Sequence, residues 1–133
     1  PYKDAMMDPT TRGEGEISAL QNFQKAYWDG EYPRAVASFL GLTQDQQAND
    51  NYRFSYANAL LQSGKTNQAI SIFESIIKNN RSKYVAEAYF GLAMGQLRKE
   101  NTVQANEWLT KYVKLEKARK KEQANEIIHK LKE

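Results

Sequence analysis

A pattern of small and bulky residues returns after 34 positions in this chain and again after 36 more, and few folds tolerate such a period. At the first shift Gly30 falls on Gly64, Ala35 on Ala69 and Phe39 on Phe73. At the second, Ala57 falls on Ala93, Leu61 on Leu97, Thr66 on Thr102, Gln68 on Gln104 and Ala69 on Ala105. Phe73 then meets Leu109, and Ile76-Ile77 meets Tyr112-Val113. Small residues answer small ones and bulky answer bulky, so the recurrence preserves packing volume as well as polarity. A period of this length marks a supersecondary unit that stacks on copies of itself.

Within the unit the spacing is helical. Ala19, Phe23 and Ala26-Tyr27 repeat at three and four, which places them on one face. Asp29-Gly30 ends that helix, glycine supplying the left-handed conformation of a helix stop. A second helix opens at once, with Pro33 in its first turn, where a missing N–H costs nothing, and Ala35, Val36 and Phe39-Leu40 on its apolar face. Thr66 and Thr102 stand where an N-cap hydroxyl is expected for the second helices of the next two units. The pattern predicts seven helices, near residues 15–29, 32–41, 49–63, 66–79, 83–99, 102–115 and 118–132, with ends good to about two to four residues.

Two antiparallel helices joined by a short turn must approach closely where they cross. Ala35, Ala69 and Ala105 on second helices, with Ala57 and Ala93 on first helices, allow that approach, and Phe39, Phe73 and Leu109 fill the space beside it. One pair cannot bury its own apolar face, so pairs stack. The last helix carries Ala124, Ile127, Ile128 and Leu131 in an i, i+3, i+4, i+7 stripe. Such a stripe covers the open end of a stack or binds a partner; covering is the reading carried forward. Residues 1–14 hold two prolines, Gly13 and Thr10-Thr11 without apolar periodicity, an irregular lead-in. The expected organisation is that lead-in and a single domain over 15–133, with units of about 16–49, 50–85 and 86–117 and a closing helix over 118–132.

Gly30-Glu31-Tyr32 with Ala35 and Phe39, and Gly64 with Ala69 and Phe73, resemble the tetratricopeptide repeat over roughly residues 16 to 117. The resemblance implies an all-α right-handed solenoid of three tetratricopeptide-like helix pairs plus a C-terminal capping helix. It departs from the family at the proline between repeats, where Gln47, Arg81 and Lys117 stand, at Phe23 in place of a small residue, and at Glu100 in place of the third turn glycine.

Composition narrows the function. The 133 residues are 41% apolar and 26% charged, ordinary for a globular chain. No run approaches the roughly 18 to 20 apolar residues of a membrane helix. Cysteine is absent, which removes disulfides and thiolate chemistry and leaves the redox compartment open. Net charge is +3, and the basic residues near the end, Lys117, Arg119, Lys120, Lys121, Lys130 and Lys132, interleave with Glu116, Glu122, Glu126 and Glu133. That mixture reads as a solvated helix face, whereas nucleic-acid sites present a stripe of one sign with aromatics set to stack. The lone histidine, His129, has no companions for catalysis or a metal. Gly13-Glu14-Gly15 follows no strand and is not a phosphate loop. No carboxylate pair reads as an acid and a base in a cleft. The expectation is a non-enzyme with no cofactor, metal or catalytic residue and no nucleic-acid partner.

Binding is expected on the concave surface lined by the first helix of each pair. The residues assigned to it are Leu20, Gln24 and Tyr27 from the first unit, Phe54, Asn58 and Gln62 from the second, and Phe90, Met94 and Arg98 from the third, with Leu61 and Leu97 beside them. Aromatic and aliphatic groups mixed with amides suit an extended or helical peptide. The larger apolar members, Leu20, Leu61, Phe90 and Leu97, have the alternative reading of inter-helix core. Residues 1–14, with Tyr2 and Met6-Met7, are an alternative occupant of the same groove. Family members that clamp chaperone carboxylates use basic residues where this chain has Leu20, Gln24, Glu87 and Gly91, which argues against that use.

Pro1-Tyr2, Thr11-Arg12-Gly13, Gly30-Glu31-Tyr32 and Tyr89-Phe90-Gly91-Leu92-Ala93 look like bacterial membrane-tethered members of the family. That likeness implies an extracytoplasmic, periplasmic domain behind a membrane helix, the alternative being the cytoplasm. A chain opening on Pro1 is expected to be a processed or truncated piece. The function expected is a protein-interaction module, a scaffold or sensing domain, with a monomer favoured. The alternative is a structural solenoid that acts through self-association.

Overall fold

The computed structural model describes residues 18–133, and every regular element among them is helical. The lead-in 1–14 and the expected helix start at 15 lie outside the described residues. The helices are α1 (Ala19–Trp28), α2 (Tyr32–Phe39), α3 (Gln44–Ala48), α4 (Asp50–Gln62), α5 (Thr66–Lys78), α6 (Val85–Arg98), α7 (Thr102–Val113) and α8 (Lys121–Leu131). Each packs on its neighbours in sequence: α1 on α2, α2 on α4, α4 on α5, α5 on α6, α6 on α7 and α7 on α8. This stepwise pairing is that of a helical-repeat solenoid.

Three turns share one set of backbone bonds. Glu31 N–H donates to Ala26 O at 2.8 Å, Lys65 N–H to Leu60 O at 2.8 Å and Asn101 N–H to Gln96 O at 2.8 Å. Each is the six-to-one bond of a Schellman stop. The acceptors are spaced 34 and 36 residues apart, the same two shifts at which the sequence recurs. The residue before each donor takes positive φ: Gly30 at 76°, Gly64 at 83° and Glu100 at 61°. Glu100 thus occupies the glycine position and adopts the glycine conformation.

The crossing alanines Ala35, Ala57, Ala69, Ala93 and Ala105 have no exposed surface. The large core residues beside them are Phe23, Leu60, Phe73, Ile76, Leu92 and Leu109. Phe23 takes the volume that a small residue would have left empty, its ring 5.5 Å from that of Phe39 and 6.4 Å from that of Tyr52. A second cluster joins α6, α7 and α8 through Ala86, Ala93, Leu109, Tyr112 and Ala124, with Ile127, Ile128 and Leu131 packed on it.

Three expectations need correction. The helix count among the described residues is eight, because α3 forms in the stretch between α2 and α4. Thr43 caps it: its hydroxyl accepts from Gln46 N–H at 3.1 Å while Thr43 N–H donates to Gln46 Oε1 at 2.9 Å, a reciprocal capping box. Gln47 donates from Nε2 to Phe39 O at 3.1 Å and Leu42 O at 3.3 Å. It ties off the end of α2 by hydrogen bonding.

Second, Thr66 and Thr102 are not N-caps. Each is the first helical residue, and Lys65 and Asn101 hold the cap position without a side-chain capping bond. Those two residues close the preceding Schellman stop and open the next helix at once, which shifts the start back by one. Third, residues 118–120 precede α8 instead of belonging to it. Lys120 N–H donates to the Tyr112 hydroxyl at 2.8 Å, drawing the connection back over α6 and α7.

Candidate functional site

The residues assigned to the binding surface come from α1, α4 and α6, and none is fully buried. Leu20, Gln24, Tyr27, Phe54, Asn58, Phe90 and Met94 are half-buried, and Gln62 and Arg98 are exposed. Leu61, by contrast, is buried in the core, as its alternative reading held.

Five of the nine come together. Phe54, Asn58, Gln62, Phe90 and Met94 line a depression of about 330 Å³ between α4 and α6. Gln24 and Tyr27 line another, of about 530 Å³, between α1 and α4. Asn58 connects the two: its Nδ2 donates to the Tyr27 hydroxyl at 3.2 Å. Burial holds that hydroxyl above its ordinary pKa, the Asn58 bond pulls the other way, and neighbouring Tyr32 adds to the rise.

Leu20 and Arg98 line neither depression. Leu20 packs against the core of α1 and its neighbours. Arg98 donates from Nη1 to Leu61 O at 2.9 Å and from Nη2 to Gln62 Oε1 at 3.2 Å. Its guanidinium meets one backbone carbonyl in the last turn of α4, the end of the helix dipole that favours a cation.

Aromatic stacking fixes the floor of the α4–α6 depression. The Phe54 ring stacks on Tyr84 at 5.0 Å and 16° and meets Phe73 edge-on at 6.0 Å. Phe90 lies 5.2 Å from Tyr112. Such contacts add to plain burial and leave these rings little rotational freedom.

Sequence reasoning missed the far wall. Arg119 and Lys120, from the α7–α8 connection, line the same depression together with Glu87 and Tyr112. Lys120 Nζ sits 4.9 Å over the Phe90 ring, a cation–π contact. The basic run 117–121 was the available signal, but it read as the solvated face of a helix that in fact begins later. Missed as well were Tyr52 and Ser55 of α4, which face α1 across the other depression. Two buried acceptors at these surfaces, Gln24 Oε1 and Glu87 Oε1, have no hydrogen-bond partner.

Among the described residues no group of three or more His, Cys, Asp or Glu is placed to hold a metal ion. His129 lies on the exposed side of α8 beside Glu126 and Lys130. No helix among the described residues is long and apolar enough to cross a membrane. No family model matches the chain, and no curated protein or solved structure matches it.

Proposed function

We propose that this chain is a tetratricopeptide-type interaction module that holds a peptide or helical segment of another protein against the face made by α1, α4 and α6. The observation that carries this reading is the joint depression of Phe54, Asn58, Gln62, Phe90 and Met94. Half-buried rings and a thioether supply apolar area, and the amides supply donors and acceptors for a main chain, the combination a bound segment needs. In this reading the stack is right-handed, the face is concave, α8 covers the end of the last pair, and the module performs no catalysis. The resemblance in the sequence adds an extracytoplasmic site behind a bacterial membrane helix, which a topology reporter fused to the full-length gene product checks.

A photo-crosslinking residue at position 62, in the depression, and another at exposed Ser71 on α5 test the site in cells. Partner adducts from position 62 that weaken with Met94→Ala are expected. Adducts from position 71 with none from position 62 overturn the assignment.

Self-association is the second reading, favoured by Trp28, whose side chain ends α1 with 82% of its surface exposed. A mass that rises with concentration and falls back to monomer in Trp28→Ala would support it.

A further inference from the structure

We infer that the partner segment is acidic, with carboxylates that meet a basic mouth formed by the α5–α6 and α7–α8 connections and an apolar residue seated on the adjoining α4–α6 floor. This inference rests on the binding reading above and names the chemistry of its ligand.

The mouth adjoins the α4–α6 depression. Lys83, Lys117 and Arg119 line a depression of about 650 Å³ with Tyr84, Glu87 and Glu116. Glu87 and Arg119 also line the α4–α6 depression, so the two are continuous. Between residues 111 and 121 the chain carries six lysines and arginines and one glutamate. Lys83, Lys117, Arg119 and Lys120 are all exposed.

Among the described residues none of these four cations is paired with a carboxylate. The ion pairs among the described residues are Lys25–Asp29, Arg34–Glu31 and Arg53–Asp50, all outside the mouth. Lys83 and Lys120 lie instead over aromatic rings, Lys83 Nζ at 5.5 Å from Tyr84 and Lys120 Nζ at 4.9 Å from Phe90. Three cations against the two carboxylates Glu87 and Glu116, with Lys120 adjoining, leave the mouth net positive. Such charge beside a partly apolar floor raises the local concentration of an anion and selects for one that also carries an apolar group.

The same geometry disfavours a nucleic acid. Stacking bases need presented ring faces, and here Tyr84 is engaged by Phe54 and Lys83, and Phe90 by Tyr112 and Lys120. Glu87 and Glu116 also interrupt the positive field that a phosphate backbone would follow. A peptide's carboxylates, unlike a continuous phosphate backbone, can be spaced to meet the cations and miss Glu87 and Glu116. Clusters of cations reading an acidic motif are an established mode of peptide recognition.

The test uses the whole 133-residue chain and a fluorescent peptide array with apolar residues spaced among Asp and Glu, each peptide doubled by a copy bearing Asn and Gln instead. Poly(dT) and vesicles of phosphatidylglycerol are run alongside. Acidic peptides are expected to bind at least tenfold more tightly than their amide copies, with affinity falling as salt rises. A Lys83→Gln, Lys117→Gln, Arg119→Gln triple variant should erase that preference while keeping the parent melting curve, since all three side chains are exposed. Equal binding of acidic and amide peptides, lost in Met94→Ala, overturns the charge inference and leaves the binding face standing. Binding of neither set, or binding that Met94→Ala leaves unchanged, overturns both. Preference for poly(dT) or vesicles that the triple variant abolishes overturns the peptide as ligand of the mouth.

Discussion

The ring of Phe73 on α5 lies directly over the α-carbon of Gly91 on α6. A Cβ added at Gly91 would fall 2.5 Å from Phe73 Cζ and 2.7 Å from each Cε. One turn on, a Cβ at Gly95 would meet Ile70 Cγ1 at 2.8 Å. Two glycines four apart thus let α6 settle onto α5, the contact that joins the second helix pair to the third.

Gly91→Ala should therefore destabilise despite alanine's better helix propensity, worth about 1 kcal/mol. Phe73 has no exposed surface and no room to retreat, and overpacking of this kind costs roughly 1 to 3 kcal/mol. A net loss of about 1 kcal/mol is expected in urea melts. The loss should shrink or reverse in a Phe73→Leu background, where the obstructing ring is gone.

The crossing alanines make a parallel case inside the pairs. Ala69→Leu and Ala105→Leu should each cost roughly 1 to 3 kcal/mol by overpacking, since neither residue has exposed surface. Denaturant midpoints unchanged in both variants would show that the helices do not cross at these residues.

Glu100→Gly should stabilise the protein. Glu100 sits at φ 61°, where a side chain costs roughly 1 to 2 kcal/mol, against about 0.5 to 1 kcal/mol of extra unfolded-state freedom for glycine. A gain of about 0.5 to 1 kcal/mol is expected. The converse change, Gly64→Ala at φ 83°, should lose about 1 kcal/mol by the same strain. Melting both variants checks the pair, and opposite signs are the required result.

Alkaline pH should reveal Tyr27. Burial raises its folded-state pKa above the ordinary 10.0, so folding favours the protonated phenol. The stability this contributes is complete below pH 10.0 and is lost as pH climbs through the raised value. Tyr56 and Tyr84 are raised by burial as well, Tyr84 also by Glu87 and Asp50, and act with the same sign. Tyr27→Phe keeps those two and removes one, so its unfolding free energy should fall less steeply across that range than the parent's. Identical slopes would show that the Tyr27 hydroxyl does not stay protonated by burial.

Much of the helical stack is legible in residue order, because each unit is built from local interactions. Helical periodicity, the glycines at 30 and 64 and the alanines at the crossings act within one helix pair, and their recurrence carries over to the next. Glu100 shows that the backbone bonds from Glu100 N–H to Leu97 O and from Asn101 N–H to Gln96 O hold the turn even without glycine. The signal for α3, the Thr43-x-x-Gln46 capping box, is also present in residue order, but it lies outside the repeating pattern.

What residue order alone determined is the helices of the repeating pairs, their turns and the faces on which Phe54, Asn58, Phe90 and Met94 lie, since a helix's period assigns every residue a direction. Only the tertiary structure decided how those faces are used. It tied Arg98 to the end of α4, matched Gly91 to Phe73, and brought Lys120 over Phe90 and Arg119 to the same depression, with Lys120 N–H bonded to the Tyr112 hydroxyl. These contacts join residues with no fixed spacing between them, so no periodicity encodes them. They depend on how closely one helix settles on the next, which is set by the packed volume of the whole core.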